Sequence, residues 1–221
     1  MPSVTLQNSQ EQIRVGKILC VGQNYAQHAK EMKSEVPSSP IFFLKPPTAI
    51  VRNGGTVVLP SISNEVHHEV ELTVLIGQGG KDIPKESSLQ HVAGYGIGLD
   101  MTMRDIQDQA KKKGMPWTLA KGFDTSAPLS EFAPAASVRN PNALDIQLTV
   151  NGAVRQASST KNLIFSVETL VAYISRFLTL ERGDVIFTGT PEGVARVNKG
   201  DLLEATLKDS RVLASVSVKV E

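Results

Sequence analysis

The sequence predicts an α+β fold, mainly β, in which a mixed sheet curls into a roll with a few peripheral helices. Three observations lead there. Short apolar runs rich in β-branched residues recur along the chain, each closed by glycine, proline or another turn residue. Few stretches carry a helical apolar period. Strands and helices also fail to alternate regularly, which argues against a doubly wound parallel sheet. At 221 residues and 41% hydrophobic, the chain can bury a sizeable core, and no linker or composition shift suggests a second domain.

The elements follow in order. KILCVG (17–22) is a short buried-strand candidate, and QNYAQHAKEM (23–32) is a short helical or turn segment. IFFL (41–44) is an apolar run stopped by Lys45-Pro46-Pro47, because proline cannot donate to a ladder. TVVLP (56–60) reads as another strand. In HHEVELTVLIG (67–77), His67, Glu69, Glu71 and Thr73 share one strand face, and the other face is mostly apolar. GYGIGLD (94–100) alternates glycine with larger residues, as close backbone packing requires.

MTMRDIQDQAKKKG (101–114) reads as a helix ended by Gly114 and Pro116, with Lys111 to Lys113 offsetting its dipole at the surface. Leu144, Ile146, Leu148 and Val150 alternate along a strand that runs into Asn151-Gly152, a type I′ hairpin signal. SVETLVAYISRFL (166–178) is the clearest helix, with an apolar stripe over Val167, Leu170, Val171, Ile174, Phe177 and Leu178. Two turn-plus-strand units, ERGDVIFTGTPEGV (181–194) and NKGDLLEATL (198–207), close the chain. Arg182-Gly183-Asp184 is the turn before the first of them, not an adhesion motif.

Charge excludes some classes of function. With 23 basic and 22 acidic residues there is no field of one sign to hold nucleic acid or an anionic membrane. No apolar run reaches the length of a membrane span, and the first residues lack the apolar stretch of a signal peptide. The single cysteine, Cys20, reads as a core residue and fits a reducing compartment, so a cytoplasmic location is expected.

Several residues carry possible chemistry. Glu69 and Glu71 point the same way with Cα atoms roughly 6.5–7 Å apart, facing either water or a cation. Asp100 is either a helix N-cap or a third carboxylate beside them. Three converging carboxylates repel one another unless a cation is present, and an all-oxygen set selects a hard ion, Mg²⁺ or Mn²⁺. His67 and His68 are not expected to ligate it. His28 and Glu31 sit side by side on a helical turn, either as a surface pair or as an oriented general base. Lys121 and Lys45 follow apolar stretches and suit a site where negative charge develops. The loop of FTGTPEG (187–193), with Thr190, is either a tight turn or a cradle for an anionic oxygen. GYGIGLD lacks the spacing and βαβ setting of a dinucleotide loop.

Six stretches together, CVGQNYAQHAKEM, PIFFLKP, HHEVELTVLIG, GYGIGLDMTMRDIQ, PWTLAKGFD and GDVIFTGTPEGV, resemble the fumarylacetoacetate hydrolase family. The likeness is greatest to its short acylpyruvase and oxaloacetate decarboxylase-type members and their bacterial isomerase-like relatives. It runs from about Lys17 to the end, which implies an N-terminal segment over 1–16 and a catalytic domain over 17–221. The resemblance implies the family's β-roll, usually a homodimer, and Mg²⁺ or Mn²⁺ held by Glu69, Glu71 and Asp100. It makes the segment bearing His28 and Glu31 a lid, sets Lys121 near the substrate, and assigns substrate contacts to Arg104, Gln107, Thr190 and Lys45. The implied activity is cleavage of a C–C bond in small 2-oxo acids through a pyruvate enolate, as acylpyruvate hydrolysis, oxaloacetate decarboxylation or both. The alternatives are isomerisation or tautomerisation of a related diacid and, more remotely, a non-catalytic oxo-acid-binding module.

Overall fold

The computed structural model describes residues 2–221. In chain order its strands begin with Ser3–Val4 (β1), Ile13–Arg14 (β2), Ile18–Gly22 (β3), Ile41–Lys45 (β4), Ile50–Arg52 (β5) and Thr56–Val57 (β6). Val66–His68 (β7), Val70–Ile76 (β8), Val92–Leu99 (β9), Thr102–Met103 (β10), Ala127–Leu129 (β11) and Ala133–Pro134 (β12) follow. Asp145–Val150 (β13), Ala153–Ser159 (β14), Val185–Phe187 (β15), Ala195–Arg196 (β16), Leu202–Lys208 (β17) and Val212–Val220 (β18) complete the set. The α-helices are Ala26–Glu31 (α1), Arg104–Lys113 (α2), Thr118–Lys121 (α3) and Val167–Ser175 (α4).

The main sheet runs β4-β3-β15-β8-β9-β11-β5, with β12 added to β9. It is mixed: β15 lies parallel to β3 and β11 parallel to β5, and the other pairs are antiparallel. A second sheet, β14-β13-β17-β18-β6, and a small one, β10-β7-β16, extend the curl. This is the mainly β, curled architecture expected from the sequence.

The two faces of the main sheet belong to two apolar clusters. Leu19, Val21, Ile186, Val70, Leu72, Val74 and Ile76 join one cluster, and Ile18, Cys20, Val185, Phe187 and Leu75 join the other. Successive residues of a strand therefore point into different cores. Every residue of β8 is buried, so the reading of Glu71 on a wet strand face is overturned. Gly98 shows what the β9 glycines are for: a Cβ there would lie 2.6 Å from the Phe187 ring.

The expected strand over 67–77 breaks at Glu69. β7 pairs with β10 and β16, whereas β8 pairs with β9 and β15. The neighbouring chain changes sheets at the same level: β9 ends at Leu99, Asp100 N–H donates to Glu69 O at 2.8 Å, and β10 pairs with β7. That pairing delays the helix expected from residue 101 until Arg104, with Met103 and not Asp100 as its N-cap.

Other boundaries also move. TVVLP keeps strand pairing only over Thr56–Val57. α4 has Ser166 as its N-cap and stops at Ser175, which leaves Phe177 outside the buried stripe and 57% exposed. The hairpin at Asn151-Gly152 forms as expected, joining β13 to β14. The turn at Gly183 leads into β15, and buried Asp184 accepts from Glu181 N–H and pairs with Lys17. Residues 2–16 pack on the rest of the chain: Val4, Ile13 and Val15 belong to the second cluster, and Gln7 N–H donates to Phe132 O. Among the described residues, no helix is long and apolar enough to cross a membrane.

Candidate functional site

Where the sheets part, Glu69, Glu71 and Asp100 converge. All three are buried, and one oxygen from each lies within 4.8 Å of the others. Glu71 reaches the cavity from β8, and Glu69 and Asp100 sit at the breaks on either side. The conflict between a helix cap and a third carboxylate at Asp100 is thereby resolved for the carboxylate.

Basic groups surround the trio. Lys121 Nζ, at the end of α3, lies 2.7 Å from both Glu69 Oε2 and Asp100 Oδ2. Arg104 Nη2 donates to Glu69 Oε1, and its Nη1 donates to Gln107 Oε1 at 2.5 Å. The two residues stand one turn apart on α2, so both face the cavity. Lys45 Nζ lies 2.8 Å from Asp100 Oδ1, at an angle that makes an ion pair without a hydrogen bond. Its hydrogens go instead to Met101 O, Ser126 Oγ and the Lys121 carbonyl. Lys45 thus sits behind Asp100 and outside the cavity lining, where a contact with substrate would require it to leave these partners.

Among the described residues, Glu71 forms no ion pair with a basic group. It accepts from Gly189 N–H at 2.6 Å, so an amide of the FTGTPEG loop is spent on a carboxyl oxygen of the protein itself. Gly189 has φ +101, and a Cβ there would lie 2.6 Å from Asn24 Cβ. Any other residue would move the amide off Glu71. Burial and the charges of Asp100 and Glu69 push the Glu71 carboxyl well above its ordinary range. Burial also acts to raise Glu69, but Lys121, Arg104 and His28 outweigh it and hold Glu69 well below that range. Burial acts to lower Lys121; Asp100 and Glu69 overcome it and raise the ammonium.

These donors fit a hard divalent cation. The set is all oxygen, it converges, and one member is left without a counter-charge. His67 and His68 stay out of it: His67 pairs with Glu65, and His68 turns to Gln156. Burial lowers both imidazoles.

α1 covers the cavity. His28 Nδ1 lies 3.0 Å from Glu31 Oε2, and Glu31 Oε1 accepts from Gly193 N–H at 3.0 Å. The pair spans the surface and the site: Glu31 is exposed, whereas His28 is buried and lines the same cavity as the trio, Arg104, Gln107, Lys121 and Thr190. The cavity holds about 30 Å³, room for an ion or a couple of waters, and is partly open to solvent.

Sequence reasoning missed two residues. Lys111 is not merely a surface lysine; it lines the cavity with its Nζ 5.4 Å from the centre of the Trp117 ring. The signal was its spacing, seven residues after Arg104 on the same helix face. Gln156, within an unremarked hairpin strand, hydrogen-bonds to both Thr190 and Val70. Nothing in its local sequence marks it.

Residues 17–219 match the family described as fumarylacetoacetate (FAA) hydrolase C-terminal. A rat protein named oxaloacetate tautomerase FAHD1, mitochondrial, is 48% identical over 204 residues, covering 92% of this chain and 91% of the rat protein. A crystal structure of fumarylpyruvate hydrolase from Pseudomonas aeruginosa, in complex with Mn²⁺ and pyruvate, superposes with a TM-score of 0.94 at 42% identity. That likeness covers 99% of this chain and 94% of the other. A 5-carboxymethyl-2-hydroxymuconate delta-isomerase from Mycobacterium smegmatis gives 0.83 at 39% identity, covering 95% and 80%. With the family match spanning nearly its whole length and close relatives on every side, the chain belongs to the fumarylacetoacetate hydrolase C-terminal family of enzymes.

Proposed function

We propose that the chain is a Mg²⁺- or Mn²⁺-dependent enzyme that cleaves a C–C bond in small 2-oxo acids through a pyruvate enolate. Acylpyruvate hydrolysis and oxaloacetate decarboxylation are the two reactions that one such site can run. The observation that carries this is the meeting of Glu69, Glu71 and Asp100 with Lys121 and His28 in one cavity, with Glu31 on His28 Nδ1. The neighbour holding Mn²⁺ and pyruvate supports it.

Glu69, Glu71 and Asp100 would hold the metal. When bound, it supplies Lewis acidity to the carboxylate and 2-keto oxygens of the substrate. Lys121 brings a fixed positive charge to the same wall, where the enolate oxygen gains negative charge. Arg104, Gln107 and Thr190 offer donors to the substrate's anionic oxygens. Lys45 serves mainly by holding Asp100 and the Lys121 backbone in place.

Glu31 accepts from His28 Nδ1–H, which leaves Nε2 free to take a proton. In hydrolysis His28 removes a proton from water, the water oxygen bonds to the acyl carbon, and the C3–C4 bond breaks with its electrons left on C3. Protonation of C3 then gives pyruvate. In decarboxylation carbon dioxide leaves with the same electron flow and no water attacks.

A second reading has a specific observation behind it, the name oxaloacetate tautomerase on the rat relative. There the same residues would move a proton between C3 and the keto oxygen with no bond between carbons broken. A turnover screen of acylpyruvates, oxaloacetate and hydroxymuconate-type diacids, with and without chelator, decides between them. Metal-dependent release of pyruvate supports cleavage. Enol–keto conversion without pyruvate supports the tautomerase.

Three further assignments complete the proposal. The catalytic unit is 17–221, with 1–16 as a strap packed on it. The chain acts as a homodimer, supported by an apolar groove of about 840 Å³ lined by Leu44, Pro47, Met115 and Trp117, and tested by light scattering. Its setting is cytoplasmic, supported by the lone, buried Cys20.

A further inference from the structure

The carboxamide of Gln156, on β14, is buried and makes four hydrogen bonds, the full capacity of its two ends. Oε1 accepts from Val70 N–H at 3.1 Å and lies 3.0 Å from His68 Nδ1. Nε2 donates to Thr190 Oγ1 and to Pro191 O, both at 2.9 Å.

Two of these partners fix the orientation of the amide. The Val70 backbone N–H can only donate, so it must face the oxygen. The Pro191 carbonyl can only accept, so it must face the nitrogen. The other two assignments then follow without choice. His68 carries its proton on Nδ1, and Thr190 Oγ1 is an acceptor toward Gln156. The Thr190 hydroxyl proton is left over, and Thr190 lines the cavity that Glu69, Glu71 and Asp100 share.

We propose that Gln156 is a positioning residue: it turns the Thr190 hydroxyl into a donor aimed at an anionic oxygen of the ligand. Because Val70 stands between Glu69 and Glu71, the same amide also sets the loop of Thr190 against the strand that carries the metal-holding carboxylates. This rests on the 2-oxo-acid reading of the site and deepens it, since it assigns the residue that gives Thr190 its polarity. A tether that only stabilises the fold would act on every ligand alike and independently of the Thr190 hydroxyl.

The test is the affinity for oxalate, an enolate mimic, by calorimetric titration with Mg²⁺ saturating. Gln156→Glu keeps an acceptor for Val70 and His68 but has no N–H for Thr190, whose hydroxyl then donates to the new carboxylate and turns from the cavity. Losing a hydrogen bond to a charged oxygen weakens binding by roughly ten- to a hundredfold. Thr190→Val should lose as much, and the double variant should lose no more than either, because both act through one hydroxyl.

Should the buried charge prevent folding, Gln156→Met removes the amide without adding charge, and its effect on oxalate should likewise vanish in a Thr190→Val background. Oxalate binding unaltered in the Gln156 variants, or losses that multiply in the double variant, would overturn the positioning role alone. An unmodified protein that binds Mg²⁺ but not oxalate would overturn the 2-oxo-acid reading and this role with it.

Discussion

Glu71 is a carboxylate whose neighbours favour its neutral form, and that has a measurable sign. Its raised value means a stabilising contribution that is fully present below the ordinary carboxylate value of 4.5 and lost as pH rises through the raised one. Glu69 behaves oppositely, contributing above that value and losing its share as pH falls. Metal takes the anion, so the metal-free protein should lose melting temperature as pH climbs, while the gain on adding Mg²⁺ grows. Glu71→Gln should flatten both trends; a Mg²⁺ gain that stayed constant with pH in the unmodified protein would contradict the account. Further along the same wall, His28→Ala should cut acylpyruvate hydrolysis by roughly 10²- to 10⁴-fold and spare more of any oxaloacetate decarboxylation. Lys121→Met should damage both, since both load the enolate oxygen. Equal loss of the two activities in His28→Ala, with oxalate binding intact, would place the histidine in the shared step. The acidic trio was legible only through the family resemblance: by itself E-x-E left water and a cation open, and Asp100 could equally have capped a helix. Gln156 was not: its role depends on Val70 and Thr190, residues 86 and 34 positions away, and no local period encodes that meeting.

At the scale of elements, strands were easier to foresee than the places where they break. Alternation found β8 and β13, and Asn151-Gly152 found the hairpin, because those signals are local. The break at Glu69 and the late start of α2 arise from pairing between β7 and β10, a tertiary choice that overrides the helical pattern of MTMRDIQ. The same limit applies to α1, whose few apolar residues gave no hint of what it covers. It is held over the cavity by its buried His28 and Ala29 and by one bond from Gly193 N–H to Glu31. Few contacts mean a low cost of local opening. Hydrogen exchange over residues 24–36 should therefore be fast in the free protein and slow when oxalate and Mg²⁺ are added. Unchanged exchange at saturating ligand would count against a closing lid. The loop after β15 should behave in the opposite way, as a rigid piece. Gly189→Ala forces a side chain into φ +101 against Asn24, so it should cost about 1–3 kcal/mol of stability and weaken Mg²⁺ binding together. Loss of stability with full metal affinity would detach that loop from the metal site.

For the whole molecule, the strap over residues 1–16 offers a direct test. Deleting it strips Val4, Ile13 and Val15 from the second cluster, and each buried aliphatic side chain is worth about 1.5–3 kcal/mol. The truncated protein should unfold at markedly lower denaturant yet keep its affinity for Mg²⁺, because none of the strap's described residues lines the cavity. An unchanged midpoint would show that the strap contributes nothing to the fold. The order of strands carries a further consequence. β15 stands between β3 and β8, near the middle of the main sheet, yet it comes from residues 185–187. A ribosome releases this chain from one end, so the residues before Val185 emerge with a slot where the sheet's middle belongs. On either side of that slot, β3 and β8 present bare backbone edges flanked by apolar faces, the surface most prone to pairing with a neighbouring copy. A chain cut short before Val185 should thus yield two unjoined half-sheets and insoluble product, while synthesis beyond that point lets three residues close the gap. The nascent chain is most in need of a chaperone during the interval between making β8 and making β15.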